Sequence, residues 1–228
     1  MIRILFQGDS ITDGARFRDV EKRWDLNHQI GHSYVFTVAS LLGKKYPGKY
    51  FFINRGIGGD TIQCLAARWQ VDALDENPDV LSILVGINGN ANRDGYFPEG
   101  EEVNVQNFEN TYREILNSSR AHNPKVKFVL IEPFFLPVGT YKEHYNDFMK
   151  VFTKKQAIVE KLAKEFDAIF IPTQKRLEKL VVDCEASLKE NGCTCGANEY
   201  WLWDGIHPTE AFHGFLAEWW IDATKSIL

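Results

Sequence analysis

The chain has 228 residues, 44% of them hydrophobic and 25% charged, which is enough apolar material for one buried α/β domain spanning residues 1–228. Its formal charge is −5, from 26 basic against 31 acidic residues, with no basic stripe. That excludes nucleic acid as the main partner, because phosphate binding needs clustered Lys and Arg, and it gives no attraction to an anionic membrane surface.

Met1 leads directly into the apolar run Ile2–Phe6, which is too short for a signal segment and has no small-residue cleavage site behind it. No window approaches the roughly 18 apolar residues of a spanning helix. The chain is therefore expected to be cytoplasmic and not inserted in a membrane. In chain order, Ile2–Phe6 reads as a buried strand, and Tyr34, Val38, Leu41 and Leu42 share a helical face. Tyr50–Ile53 is a second strand. A looser helical set, Ile62, Leu65, Trp69 and Leu74, precedes a third strand at Val80–Val85. Phe108, Tyr112, Ile115 and Leu116 lead to the strand Val126–Ile131; Phe148, Phe152, Ile158, Val159 and Leu162 lead to Ala168–Ile171. Phe212, Phe215, Leu216, Trp219 and Trp220 form the last helical set. Strand alternating with helix implies right-handed crossovers and a mostly parallel sheet covered on both faces.

Ligands of such sheets bind beyond the carboxyl ends of the strands, which directs attention to the segments that follow each one. After the first strand stands Gly8-Asp9-Ser10-Ile11-Thr12-Asp13-Gly14. Ser10 reads either as an exposed nucleophile on a sharp turn or as a helix N-cap. Thr12 occupies the position of the second glycine in G-x-S-x-G, so the α/β-hydrolase elbow is excluded. A serine nucleophile needs a base, and the base needs an orienting group. Trp203-Asp204-Gly205-Ile206-His207-Pro208 offers both, with Asp204 and His207 three residues apart across a glycine. Pro208 holds His207 extended and is expected to open the final helix. The alternative is a helix-capping pair without chemistry. The other five histidines (His28, His32, His122, His144 and His213) lack such a partner and are read as structural.

Developing negative charge on an acyl oxygen calls for aimed donors. Gly58-Gly59-Asp60-Thr61 can expose a backbone N–H, and Asn88 puts an amide directly after the third strand, although Gly and Asn also dominate ordinary turns. Of the four cysteines, Cys184, Cys193 and Cys195 lie near one another in sequence. They lack paired C-x-x-C spacing and ligand histidines, and are read as thiols in a surface loop of a reducing compartment.

Together Gly8-Asp9-Ser10, Gly59, Gly86-x-Asn88 and Asp204-x-x-His207 resemble the four blocks of the SGNH (GDSL-like lipase/acylhydrolase) superfamily, in the same order and across nearly the whole chain. The resemblance implies a flavodoxin-like three-layer α/β/α sandwich with a five-stranded, mostly parallel sheet. It implies an esterase that needs neither metal nor cofactor. Ser10 would be the nucleophile, His207 the base and Asp204 its orienter, with Ser10, Gly59 and Asn88 forming the oxyanion hole. One departure stands out: the third block usually reads G-x-N-D, and Gly89 replaces the acid here. Asn90 or Asn92 is expected to hold the Asn88 loop in its place.

The expected substrate is a small-molecule ester: a small acyl ester or an acetylated saccharide. A thioesterase or lysophospholipase would use the same triad, and a binding module could keep the fold without turnover. Specificity is expected in Gly89–Asn104, in Phe134–Tyr145 and in Tyr200-Trp201-Leu202-Trp203, whose aromatics either stack on sugar rings or pack in the core. The polar segment Phe17–Gly31, with Arg18, Arg23, Trp24 and Asn27, reads as a lid or a subunit contact. The sequence leaves the oligomeric state open, homo-oligomer included.

Overall fold

The computed structural model describes residues 1–18, 29–89 and 101–228. Five strands, β1 (Ile2–Gly8), β2 (Tyr50–Asn54), β3 (Val80–Leu84), β4 (Lys127–Ile131) and β5 (Ile169–Ile171), form one sheet in the order β2-β1-β3-β4-β5. Every pairing is parallel. The strands read as unbroken apolar runs because both faces of the sheet are covered. Ile4 and Phe6 point to one layer and Leu5 to the other; Val80 and Leu84 are likewise opposed to Leu81 and Ile83.

The first layer holds α2 (Tyr34–Lys45) and α8 (Glu210–Thr224), and the second holds α3 (Ile62–Ala67) and α4 (Glu101–His122). The helix α5 (Tyr145–Glu165) feeds both cores, with Phe148 and Phe152 in one and Ile158, Val159 and Leu162 in the other. Trp220 of α8 is fully buried and donates its indole N–H to Ser82 Oγ (3.0 Å), which satisfies the one polar side chain in the middle of β3.

Four expectations need correction. Leu41 stands 46% exposed and does not belong to the inward face of α2. The looser set from Ile62 to Leu74 is not one helix: α3 ends at Ala67, and a π-helical turn, Gln70–Leu74, resets the period before Leu74. Asn104 does not end a loop, since α4 has begun by Glu101. Pro208 does not open the last helix. It pairs with Leu202 in an antiparallel bridge, and α8 starts at Glu210 behind Thr209. Two further helices, α6 (Gln174–Glu190) and α7 (Ala197–Trp201), carry the chain from β5 to that bridge. Among the described residues no helix is long and apolar enough to cross a membrane.

In the order β2-β1-β3-β4 the connection from β1 leads to one side and that from β3 to the other, so the crevice at the carboxyl ends of these two strands is the switch point of the sheet. Gly8 ends β1 there.

Candidate active site

The four-residue helix α1 (Ser10–Asp13) starts immediately beyond β1. Asp9, rather than Ser10, caps it, accepting from Ile11 N–H through Oδ1 (3.0 Å). Ser10 is left as the first helical residue, with its side chain not used as the cap and its backbone N–H among those that a helix start leaves without an internal partner. Gly8 cannot be enlarged: a Cβ there would meet Leu84 O at 2.3 Å and Thr12 Oγ1 at 2.4 Å. This close approach of β1 to β3 and α1 is what brings Ser10 over the end of the sheet.

Ser10 Oγ lies 2.8 Å from His207 Nε2, and His207 Nδ1 lies 2.6 Å from Asp204 Oδ2. Asp204 Oδ1 meanwhile accepts from Ile206 N–H (2.9 Å) and His207 N–H (2.7 Å), which folds the acid and the imidazole onto one side of a tight turn. Gly205 makes that turn at φ 90°, and a Cβ there would stand 2.5 Å from Leu136 O. The Leu202–Pro208 bridge closes the hairpin around it.

Asp204 is drawn upward by burial, but the hydrogen bonds from the His207 ring and from the two backbone N–H groups hold it below the usual carboxylate value. The hydrogen bond to Asp204 raises His207 above its ordinary 6.5, against partial burial. With its ring proton on Nδ1 facing Asp204, His207 presents a bare Nε2 to the Ser10 hydroxyl. That arrangement can remove a proton from Oγ and return it to a leaving oxygen.

Two further candidate donors lie in the loops after β2 and β3. Gly59 adopts φ 86° and faces open space on its Cβ side; neighbouring Gly58 is so close that a Cβ there would sit 3.7 Å from Ser10 Cβ. Asn88 follows β3, and its amide donates one N–H to Asp60 O (3.0 Å), leaving the second for a ligand. Replacing Asn88 with alanine is expected to lower kcat by about 10²–10³-fold with little change in KM, the usual cost of losing one aimed donor. Steady-state kinetics on a nitrophenyl ester checks this.

Residues of the support were not singled out beforehand. Asn54, at the end of β2, donates to Thr12 O (2.7 Å) and Ile30 O (2.8 Å) and accepts from Gly56 N–H (2.9 Å), tying two loops to the serine turn. Asp13 accepts from Gly58 N–H through Oδ2 (2.9 Å) and pairs with Arg18, fixing the glycine segment beneath Ser10. The polar residue closing an apolar strand run was the available signal for Asn54. Asp9 is 1% exposed, its Oδ2 has no hydrogen-bond partner among the described residues, and burial pushes its carboxyl up to about 7. Below that pH the residue before Ser10 therefore carries no charge that would oppose an anion bound there. His213 fits the structural reading: its Nδ1 accepts from Tyr34 N–H (3.0 Å), and burial takes it down to about 4.

Gly89 takes φ 72°, a backbone conformation in which a side chain is strained, and a Cβ there would meet Thr61 Cγ2 at 3.1 Å. Its carbonyl accepts from Asn104 Nδ2 (2.8 Å), so α4 holds the loop through this bond. Asn90 and Asn92, named above for that task, lie outside the described residues. Gly89→Asp is expected to cost about 1–2 kcal/mol of stability, read as a lower Tm. Its kcat/KM should stay within about tenfold of wild type, a span of roughly 1.4 kcal/mol; a larger fall would make Gly89 a requirement of the chemistry.

The aromatic run divides. Trp201 and Leu202 are buried, with Trp201 against Phe212 and Phe215, whereas Trp203 is 62% exposed and its ring stacks on His207 (centroids 5.7 Å, planes 19°). Tyr200 is partly exposed and meets Trp201 edge-on. Of the suggested lid, Arg23, Trp24 and Asn27 lie outside the described residues.

A parallel α/β/α sheet with this constellation at its switch point defines an ester-bond hydrolase. The chain belongs to the GDSL-like Lipase/Acylhydrolase family, whose model matches residues 6–215. It is 29% identical over 218 residues to an acetylxylan esterase of Geobacillus stearothermophilus, covering 94% of this chain and 90% of that protein. The solved structure of that esterase superposes with a TM-score of 0.73, covering 97% of this chain and 93% of the other. A structure from Parabacteroides merdae described as a GDSL-like lipase is 32% identical with a TM-score of 0.79, over 98% of this chain and 95% of that one. An uncharacterized lipoprotein of Bacillus subtilis, YqeF, is 28% identical over 181 residues, covering 77% of this chain and 68% of that protein. Catalytic mutants of the Geobacillus esterase have been solved at a serine, an aspartate and a histidine, the last two three positions apart.

Proposed function

We propose that this protein is a serine-dependent carboxylic ester hydrolase that deacylates small esters, acetylated saccharides above all, through an acyl-enzyme on Ser10. The observation that carries the reading is the unbroken hydrogen-bonded chain Ser10–His207–Asp204, with links of 2.8 and 2.6 Å. The serine, aspartate and histidine of the Geobacillus catalytic mutants support it, since Asp204 and His207 have the same three-residue spacing.

In the first half-reaction His207 Nε2 takes the hydroxyl proton as Ser10 Oγ attacks the ester carbonyl. The oxyanion that forms accepts from Ser10 N–H, Gly59 N–H and Asn88 Nδ2. His207 passes the proton to the departing alkoxide, and an alcohol leaves. Water then attacks the acyl carbon, His207 takes its proton, and collapse returns Ser10 and releases the carboxylic acid.

Trp203 supports the saccharide preference. It is a large exposed aromatic surface at the rim of the triad, and pyranose rings stack on such faces. Trp203→Ala is expected to raise KM for acetylated xylo-oligosaccharides roughly 3–10-fold, the worth of one aromatic contact, while KM for nitrophenyl acetate moves less. Equal effects on both substrates would remove Trp203 from sugar recognition. The overall reading is tested by assaying wild type and Ser10→Ala on nitrophenyl acetate, acetylated saccharides, acyl-CoA and lysophospholipid. Turnover of the first two by wild type alone is expected. No turnover by wild type, or equal turnover by both proteins, overturns the serine-esterase reading; preference for acyl-CoA or lysophospholipid overturns the substrate class.

A further inference from the structure

The segment between α6 and α7 takes no part in the site just described, yet it is built with some precision. Helix α6 ends in a paired motif: Gly192 N–H donates to Lys189 O (3.2 Å) and Cys193 N–H to Leu188 O (2.9 Å), with Gly192 at φ 69°. This fixes Cys193 three residues beyond Glu190, the last residue of the helix. Two residues later Cys195 precedes Gly196, the N-cap of α7. The two side chains converge, with sulfur atoms 3.2 Å apart, and both residues are exposed.

We propose that Cys193 and Cys195 form a redox-active dithiol that undergoes exchange with low-molecular-weight disulfides such as oxidised glutathione. A thiol hydrogen-bonded to a second thiol is the arrangement that readies one of them to attack: with Cys195 S–H as the donor across the 3.2 Å contact, Cys193 is drawn below and Cys195 pushed above the ordinary thiol value. The Cys193 thiolate attacks one sulfur of the small disulfide, whose S–S bond breaks and whose first thiolate leaves. Cys195 then gives up its proton and attacks Cys193 Sγ, breaking the mixed disulfide and releasing the second thiolate. Two protein thiols are oxidised by two electrons, the small disulfide is reduced to two thiols, and the two protein protons end on those products.

A metal centre is the weaker use of the pair. Structural zinc takes four ligands, and among the described residues no group of three or more His, Cys, Asp or Glu is arranged to hold an ion. Cys184, the remaining nearby thiol, is on α6 rather than in the loop expected for it. It is half-buried and accepts from the Trp201 indole N–H (3.2 Å). Cys64 is exposed but has no second thiol beside it, so it serves as an internal comparison.

The test incubates the full chain with oxidised glutathione and follows intact mass, free-thiol count and a peptide map. In the wild type the peptide containing residues 193–195 is expected to become two hydrogens lighter with no retained glutathione, while Cys64 carries at most a mixed disulfide. Cys195→Ser is expected to stop at a stable glutathione adduct on Cys193, and dithiothreitol should reverse both products. The double variant Cys193→Ser/Cys195→Ser should hydrolyse nitrophenyl acetate at the wild-type rate, which shows that it is folded. Persistence of both thiols in wild type, or an unresolved adduct at Cys193 with Cys195 intact, overturns the proposal.

Discussion

Ser10→Ala is expected to lower kcat/KM on short nitrophenyl esters by about 10⁶-fold, the cost seen when the nucleophile of a serine triad is deleted. Neighbouring groups offer no replacement. The nearest hydroxyl in sequence, Thr12, is fully buried and bonded to Tyr34 OH (3.3 Å), so it cannot reach an ester in the cleft. The variant should also remain folded. Asp9 caps α1, and the turn is pinned by Asn54 to Thr12 O and by Ser33 Oγ to the same carbonyl (2.8 Å), none of which involves the Ser10 side chain. An unchanged Tm with collapsed turnover separates loss of chemistry from loss of structure. Residual activity within about a hundredfold of wild type would leave only general positioning to the serine.

Asp204→Asn is expected to cost about 10⁴ in kcat while leaving the hairpin intact. The asparagine side-chain oxygen can still accept from Ile206 and His207 N–H, the bonds that shape the turn. What it loses is the anionic oxygen 2.6 Å from His207 Nδ1, and with it the tautomer that leaves Nε2 bare. The pH profile gives a second, independent reading. His207 must be neutral to accept the serine proton, so activity rises with pH as the imidazolium titrates. The bond to Asp204 holds that titration above 6.5 in the wild type, so the acidic limb of kcat/KM should have its midpoint above 6.5. With the carboxylate gone, partial burial is the larger of the surviving influences, outweighing the upward pull of Asp9, so the limb of the variant should move to lower pH. A limb that stays in place would assign the titration to another group, and Asp9, raised to about 7, is the one that faces His207.

The sheet was legible because its strands are buried on both faces. Runs such as Val80–Leu84 have no polar face to obscure them, and the alternation of strand and helix then allows few topologies. The residues of the site were legible for a related reason. A ligand at a switch point meets the loops that follow consecutive strands, and the candidates Ser10, Gly59 and Asn88 stand in those loops. Features set by tertiary contacts were not visible. Helix α6 is a different case: Leu177, Leu180, Val181 and Cys184 stand at helical spacing and pack on the core, but of these only Leu177 is fully buried and the set is short. Pro208 looked like a helix start because its fixed φ suits one, but pairing with Leu202 outweighed that preference. Gly89 looked like a missing acid. At φ 72° it is a conformational choice, and the bond that secures its loop comes from Asn104, a contact that neighbouring sequence could not suggest. Trp201 and Trp203, two residues apart, took opposite environments because α7 ends between them.

The central claim is that Ser10 is acylated with His207 as its base. The most direct measurement is covalent labelling by a phosphonate ester that mimics the tetrahedral oxyanion, followed by intact mass and peptide mapping. One equivalent of label on Ser10 is expected in the wild type, with labelling slowed at least a thousandfold in His207→Ala, on the order of the contribution of a general base. Label on any other residue, or equal rates in the two proteins, would contradict the account.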